Sequence, residues 1–281
     1  MLPGIISLTL YGLKYSIEFT GGSVLEYSFA TPIEESKLVQ IANDNALEYE
    51  ALQIDQNTVY IRSKPLSNET ITQLETDLTN EFGELTVLSS ETIGPTVGDE
   101  TTRKAFLAVF VASVAIVLYI TYSFKNIPAP YSSFRFGISA IVAMLHDALV
   151  VVGIFSLLGK FLDVEITSLF ITAILTIIGF SIHDTIVVFD RIRENLNKLP
   201  KSMSFGDVVN YSVVETLNRS LATSLTVVLT LLSLYLLGGE TIKYFVLALL
   251  FGIISGTYSS IFTASPLLVY WENYISTKSK K

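Results

Sequence analysis

The chain has 281 residues, half of them hydrophobic and 16% charged, and its mean hydropathy of +0.53 excludes a simple soluble globule. No cysteine is present, so disulfide frameworks, thiolate metal sites and cysteine nucleophiles are excluded as well. The net charge of −8 argues against nucleic acid, which needs a basic stripe, and it is unevenly divided: residues 17–100 carry 16 acidic against three basic side chains, whereas the remainder carries 10 acidic against 15 basic. The first block belongs in water and the second in lipid.

Leu2 to Leu13 is apolar but only 12 residues long, includes Pro3 and Gly4, and lacks the positive n-region of a signal peptide. It reads as an interfacial segment or, by preference, as the outer half of a first span whose beginning is missing, since export of the block that follows needs an upstream element. Ile17 to Phe29 opens with Gly21-Gly22 and alternates through Val24, Leu25, Tyr27 and Phe29, a strand after a bulge or tight turn. Thr31-Pro32 offers an N-cap and a first-turn proline for a helix of about 12 residues through Leu38, Ile41 and Ala42. Leu47 to Ile54 and Thr58 to Arg62 alternate about Asp55-Gln56-Asn57, a hairpin signal. Ser67 caps a second helix through Phe82, Gly83 stops it, and Glu84 to Thr92 is the last strand. The order βαββαβ is a split βαβ unit of the ferredoxin-like kind. It has neither a Gly-rich phosphate loop nor a histidine, which favours a binding or moving part over a catalytic one.

Five stretches follow that can each cross a bilayer core of about 30 Å, which needs about 20 apolar helical residues. They are 105–124, 136–159, 166–189, 220–239 and 244–271, of which the second and third are each interrupted by one His-Asp pair. The short connections on one side hold Lys125, Arg135, Arg191, Arg193, Lys198, Lys201, Lys278, Lys280 and Lys281, while the alternate ones hold Lys160 and Lys243. Basic loops face the cytoplasm, so the C-terminus is expected inside and the acidic block outside. The expected division is a partial first span at 1–16, an extracytoplasmic ferredoxin-like domain at 17–98, a transmembrane helical domain at 99–275 and a cytoplasmic tail at 276–281.

An ionisable side chain deep in a span costs about 2.5 to 3.5 kcal/mol and is a functional candidate. Asp147 lies about 18 Å along a helix from Arg135, near mid-membrane, and Asp184 about 10 Å from Arg191, in the inner third. Arg219 enters the next span from the same side, so Asp184 and Arg219 can share a depth. Burial in a helix bundle favours a neutral carboxyl, and a nearby guanidinium favours the ionised one. A changing Asp184 to Arg219 distance could therefore load and release a proton; the plainer alternative is a static ion pair. Asp147 reads either as a further relay group or as a core carboxylate bonded to neighbouring Ser or Thr. His146 and His183 each precede an aspartate, but adjacent helical residues point about 100° apart, so neither pair forms one chelating face and no metal site is expected. His183 could extend a proton relay. Gly252 and Gly256 form a small-xxx-small pair for close helix packing, with Ser220 and Ser224, and Thr172 and Thr176, at the same spacing. Asp190, Arg191, Arg193 and Glu194 carry a helix out into water, where i,i+3 and i,i+4 pairs can form.

These residues resemble the SecD/SecF family of protein-export membrane subunits, relatives of the resistance-nodulation-division transporters. The resemblance lies in Phe19-Thr20-Gly21-Gly22, in the run from Gly94 to Glu100, in His146-Asp147, and most specifically in Leu175 to Asn195 with its Asp184-Thr185-Ile186-Val187-Val188-Phe189-Asp190-Arg191 core. It continues through Asn218-Arg219-Ser220, Gly238-Gly239 and Gly256-Thr257-Tyr258-Ser259-Ser260. The resemblance implies a multi-pass inner-membrane transport subunit rather than an enzyme, with protons as coupling ion and no other cofactor. It also implies that Asp184 and Arg219 match the family's proton path, beside a partner subunit SecD and the SecYEG channel. YajC-like and insertase subunits, unfolded preprotein and membrane lipid are the other partners implied, and nucleic acid is not one. His183 stands where relatives often have Asn. Two other readings stay open. A small-solute exporter of the same superfamily would have a closed substrate cavity and either duplicated halves within one chain or a homodimer; repeating halves are not visible in the sequence. An intramembrane aspartyl protease would use Asp147 and Asp184, but these differ in depth and its Gly-x-Gly-Asp loop is absent.

Overall fold

The computed structural model describes residues 2–125, 127–128 and 131–278, so Lys280 and Lys281 of the expected tail lie outside the described residues. The chain divides into two units, Tyr15–Phe106 and a second made of Met1–Lys14 with Leu107–Lys281.

In the first unit, period-two alternation produces strands β1 (Gly22–Phe29), β2 (Tyr49–Asp55), β3 (Thr58–Ser63) and β4 (Leu85–Ile93). A one-turn helix α2 (Ile17–Thr20), with α3 (Glu35–Asp44) and α4 (Asn68–Phe82), completes it, and the second unit begins with α1 (Leu2–Tyr11). The strands form one antiparallel sheet in the order β2-β3-β1-β4. From β1 onward the elements run β-α-β-β-α-β. The inward residues of β1, Leu25, Tyr27 and Phe29, meet Leu38 of α3 and Leu74 and Leu78 of α4, and Phe29 packs edge-on against Phe82 at 5.6 Å.

Local signals decide most boundaries. Ser67 caps α4 by accepting a bond from the Thr70 N–H at 3.2 Å, and Gly83 ends it at φ +91°. The hairpin turns through Gln56 at φ +49°. Two expectations fail. The helix expected from Thr31-Pro32 starts instead at Glu35, after an N-cap Glu34 that makes no side-chain cap bond; the Thr31 hydroxyl is bonded to the Phe82 carbonyl at 3.0 Å and is spent on the loop. The strand expected from Ile17 starts only at Gly22, because residues 17–20 close a helical turn on the Ser16 and Ile17 carbonyls. Arg62, 7% exposed, holds that turn by donating to the Tyr15 carbonyl and the Thr20 hydroxyl and pairing with Glu50. Gly21 and Gly22 leave it at φ +70° and +134°, and a side chain on Gly22 would sit 2.9 Å from the Ser63 carbonyl. Both left-handed geometry and close approach thus require glycine there.

The second unit contains the long apolar helices α5 (Pro95–Ser123, its first turns in the sheet unit), α6 (Ser133–Leu162), α7 (Ser168–Lys198) and α8 (Phe205–Leu237). A last pair, α9 (Glu240–Ser259) and α10 (Ser265–Lys278), is joined by a π-helical turn, Ser260–Ala264. Among the described residues, five helices of 29 to 36 residues are thus long and apolar enough to cross a membrane, with α9, the π turn and α10 counted as one. The stretch expected as a single regular span over 244–271 therefore contains an irregularity that hydropathy cannot register, since the flanking residues are equally apolar.

Small residues let helices touch. Gly4 of α1 lies against Gly153 of α6, where an added Cβ would come within 2.4 Å of the Gly4 Cα, and one turn on the Ser7 hydroxyl donates to Ser156 at 2.8 Å. The far end of α5 is fixed by rings: Phe124, Phe136 and Phe189 form a triangle with centroids 5.2 to 5.9 Å apart. Arg135 at the start of α6 is paired with the buried Glu272 of α10.

Candidate functional site

The seam between α6, α7 and α9 is where the chain concentrates polar side chains in its apolar part. Helices α7 and α9 run side by side in the same direction: Gly252 faces Ile177, Gly256 faces Ser181, and the Thr185 hydroxyl lies 3.0 Å from that of Ser260. A Cβ on Gly252 would fall 2.2 Å from Ile177 Cγ1, and one on Gly256 would fall 3.3 Å from the Ser181 Cα. The two glycines bring the helices close enough for hydroxyls on both to reach one group of α6.

That group is Asp147, whose residue is fully buried. Its Oδ2 accepts from Ser181 at 2.5 Å and Ser259 at 2.6 Å, and its Oδ1 from Ser255 at 2.8 Å, with His146 Nδ1 3.0 Å from the same oxygen. This is the environment the satisfied-carboxylate reading describes, and it ties three helices at one point. The serine donors are the part sequence inspection left unnamed; Ser255 and Ser259 stand at i,i+4 beside Gly256, a spacing that marks one face. The π turn starts directly after them. Ser260, four residues after Gly256, continues the same stripe and so meets Thr185, and the Ser265 hydroxyl donates to the Ser260 carbonyl at 3.0 Å across the turn.

Asp184 sits one residue from Thr185, is 6% exposed, and makes no hydrogen bond or ion pair among the described residues. Arg219 on α8 is exposed and likewise has no ion pair among them, so the static Asp184–Arg219 pair considered from sequence is not formed. Their levels are nevertheless close. Arg191 Nε donates to Glu215 Oε2 at 2.6 Å and Asn195 Nδ2 to the Ser212 hydroxyl at 3.0 Å, so α7 and α8 are antiparallel in a fixed register. Followed along both helices, that register puts Arg219 about 4.5 Å below the level of Asp184, at 1.5 Å per residue. His183 is exposed, on a different face of α7 from the buried Asp184. Higher on α8, Ser224 accepts from Thr257 of α9 at 2.6 Å. Thr172 and Thr176 are exposed and bond only their own helix.

Where α7 leaves the apolar zone, Asp190 pairs with Arg193 at 2.6 Å, Arg191 with Glu194 and Glu215, and Lys198 with Glu194 at 2.5 Å. Among the described residues, no group of three or more His, Cys, Asp or Glu is placed to hold a metal ion. The arrangement offers one caged carboxylate, one buried and unpaired carboxylate a few residues away, and an unpaired arginine near its level. Such a set can exchange a proton and respond to helix movement.

Residues 73–274 match the family described as protein export membrane protein SecD/SecF, C-terminal, and residues 6–33 match the SecD/SecF GG motif. The chain is 47% identical over 288 aligned positions to a protein translocase subunit SecF from Thermobaculum terrenum, covering 97% of this chain and 89% of that one. Among solved structures it resembles the crystal structure of SecDF, a translocon-associated membrane protein from Thermus thermophilus, with a TM-score of 0.81 and 37% identity over 97% of this chain. This chain spans 37% of that SecDF chain's length. A SecDF crystal structure in a super-membrane-facing form is similar at a TM-score of 0.68 and 36% identity, over 99% of this chain and again 37% of the other.

Proposed function

The chain belongs to the SecD/SecF family of protein export membrane proteins, and on that premise we propose that it acts as a SecF-type auxiliary subunit of the Sec translocase. In this reading it works beside SecD and the SecYEG channel, promoting export of unfolded preproteins with energy from the proton motive force. It is a multi-pass membrane protein, and we place it in the inner membrane with the basic connections and the C-terminus on the cytoplasmic side. In this reading residues 17–98 form an extracytoplasmic ferredoxin-like domain and residues 99–275 supply the spans.

The observation that carries the reading is Asp184: a carboxylate 6% exposed on a membrane-length helix, without a partner among the described residues, in a chain that matches SecF proteins over nearly its whole length. A buried acid left unpaired in lipid is retained at a cost, and exchanging a proton as its surroundings change is the use that cost suggests. Arg219, near its level and equally unpaired, supplies a charge that can favour the ionised form when it approaches. Asp147, already held by three hydroxyls, would anchor the bundle around which this happens. The test is Asp184→Asn in membrane vesicles containing the partner subunits. Stimulation of preprotein export by an imposed proton gradient should vanish while ATP-driven export persists; full stimulation would remove Asp184 from the coupling.

A further inference from the structure

Two buried polar groups on neighbouring helices lack partners at nearly the same level. One is the Asp184 carboxylate; the other is the hydroxyl of Ser220 on α8, a residue 3% exposed whose Oγ is buried without an acceptor. Buried polar atoms are almost always bonded, and an orphan calls for an explanation. Asp184 lies 11 residues, close to three full turns, from Asn195, so both sit on the stripe of α7 that faces α8 through the Asn195–Ser212 bond. Ser220 lies on the buried stripe of α8 that includes Ser212 and Thr216. Extending the register of those bonds sets Asp184 level with the stretch between Ser220 and Ser224. Ser224 is already bonded to Thr257, whereas the Ser220 hydroxyl is the one there without any hydrogen bond among the described residues. Ser139, the other helix serine with an orphaned buried hydroxyl among the described residues, is on α6. The Ser181–Asp147 register places it about 7 Å lower.

We propose that Ser220 is a positioning residue for Asp184: its hydroxyl donates to the carboxylate when that group is ionised and lets go when it is protonated. The inference rests on the reading of Asp184 as the proton carrier and adds a second protein group to that step. A donated hydroxyl bond favours the charged form, so Ser220 sets the pH at which the carrier fills. The other ionisable groups around the position are His183 on α7, His146 and Asp147 on α6, Arg219 and the Arg191-bound Glu215 on α8, and Tyr258 on α9. Of these, Asp147 is already saturated with serine donors.

The test uses the full chain with its partner subunit in lipid vesicles and a hydrophobic carbodiimide, which modifies only protonated carboxyls; mass spectrometry reads the Asp184 peptide across pH. Ser220→Ala should move the half-modification point upward by about one pH unit, the size of one hydrogen bond to a charged group. Ser220→Thr should restore it, and Ser224→Ala should leave it in place. Should the alanine variant fail to insert, Ser220→Cys, a weaker donor of similar size, should shift the point in the same direction. An unchanged point in the alanine or cysteine variant overturns the role of Ser220. A parent protein in which Asp184 shows no titration at all overturns the proton-carrier reading, and this inference with it.

Discussion

Gly252→Ala adds one methyl group where the structure leaves no room. Its Cβ would lie 2.2, 2.3 and 2.7 Å from Cγ1, Cδ1 and Cγ2 of Ile177, against an ordinary carbon contact of about 3.5 to 4.0 Å. Ile177 is 1% exposed and β-branched, so it can neither swing into open space nor choose freely among rotamers on a helix. The helices must part by about 1 Å or the side chain must leave its well, at about 1 to 3 kcal/mol for overpacking. Alanine recovers up to about 1 kcal/mol of helix propensity over glycine, leaving a net loss of about 0 to 2 kcal/mol. Gly179 supplies the control: it is exposed on α7 with nothing within 4 Å of an added Cβ, so Gly179→Ala should be neutral or stabilising. Unfolding of the purified chain by denaturing detergent in mixed micelles, followed through the single tryptophan, Trp271, measures both. The paired variant Gly252→Ala with Ile177→Ala should show a coupling of about 1 to 3 kcal/mol, because the smaller side chain vacates the contested space. A coupling near zero would refute the close approach of α7 and α9.

Asp147→Ala removes the acceptor of three serine hydroxyls and should cost about 2 kcal/mol, taking roughly 0.6 kcal/mol per interhelical bond in a membrane. Asp147→Asn, which keeps one acceptor oxygen, should lose about half as much in the same micelle assay. In the sheet unit, the fully buried Tyr27 bonds Glu75 Oε1 at 3.2 Å, and burial, reinforced by that carboxylate, raises its phenol above the usual tyrosine range. The neutral phenol is then favoured more in the folded than in the unfolded chain. Its stabilising contribution is complete below about pH 10 and falls above it by about 1.4 kcal/mol per pH unit until the folded phenol ionises. Hydrogen exchange of β1 amides in the parent and in Tyr27→Phe should diverge only on that alkaline side; parallel curves would contradict the assignment.

How far the sequence could be read follows from what each signal encodes. The hairpin at Gln56 and the cap at Ser67 are local chemistry, written within four residues, and appear where the residues place them. The start of α3 was misplaced because Thr31 has a long-range partner, the Phe82 carbonyl, which competes with its capping role and leaves no trace in nearby residues. The apolar stretches mark the long helices but not their ends. Helix α5 begins at Pro95, ten residues before the uncharged run, since polar residues continue a helix into water at little cost. At the site, the residue types were visible and their partners were not. Asp147 and Asp184 look alike in sequence, each after a histidine inside a span, yet one is caged by serines of two other helices and the other stands alone. That difference depends on which face of α9 meets α7, and Gly252 and Gly256 hint at it only by their spacing.

The π turn at Ser260–Ala264 acts as a phase shifter. One surplus residue rotates everything after it by about 100° relative to an uninterrupted α-helix, and the last fourteen residues of the described chain are built for that rotated setting: Leu268 points into the core and Glu272 reaches Arg135. Related chains that lengthen or shorten this stretch by one must therefore either repaint the outer surface of α10 or give up its anchorage. The angle of the final helix is recorded as a count of residues, which makes this segment intolerant of insertion.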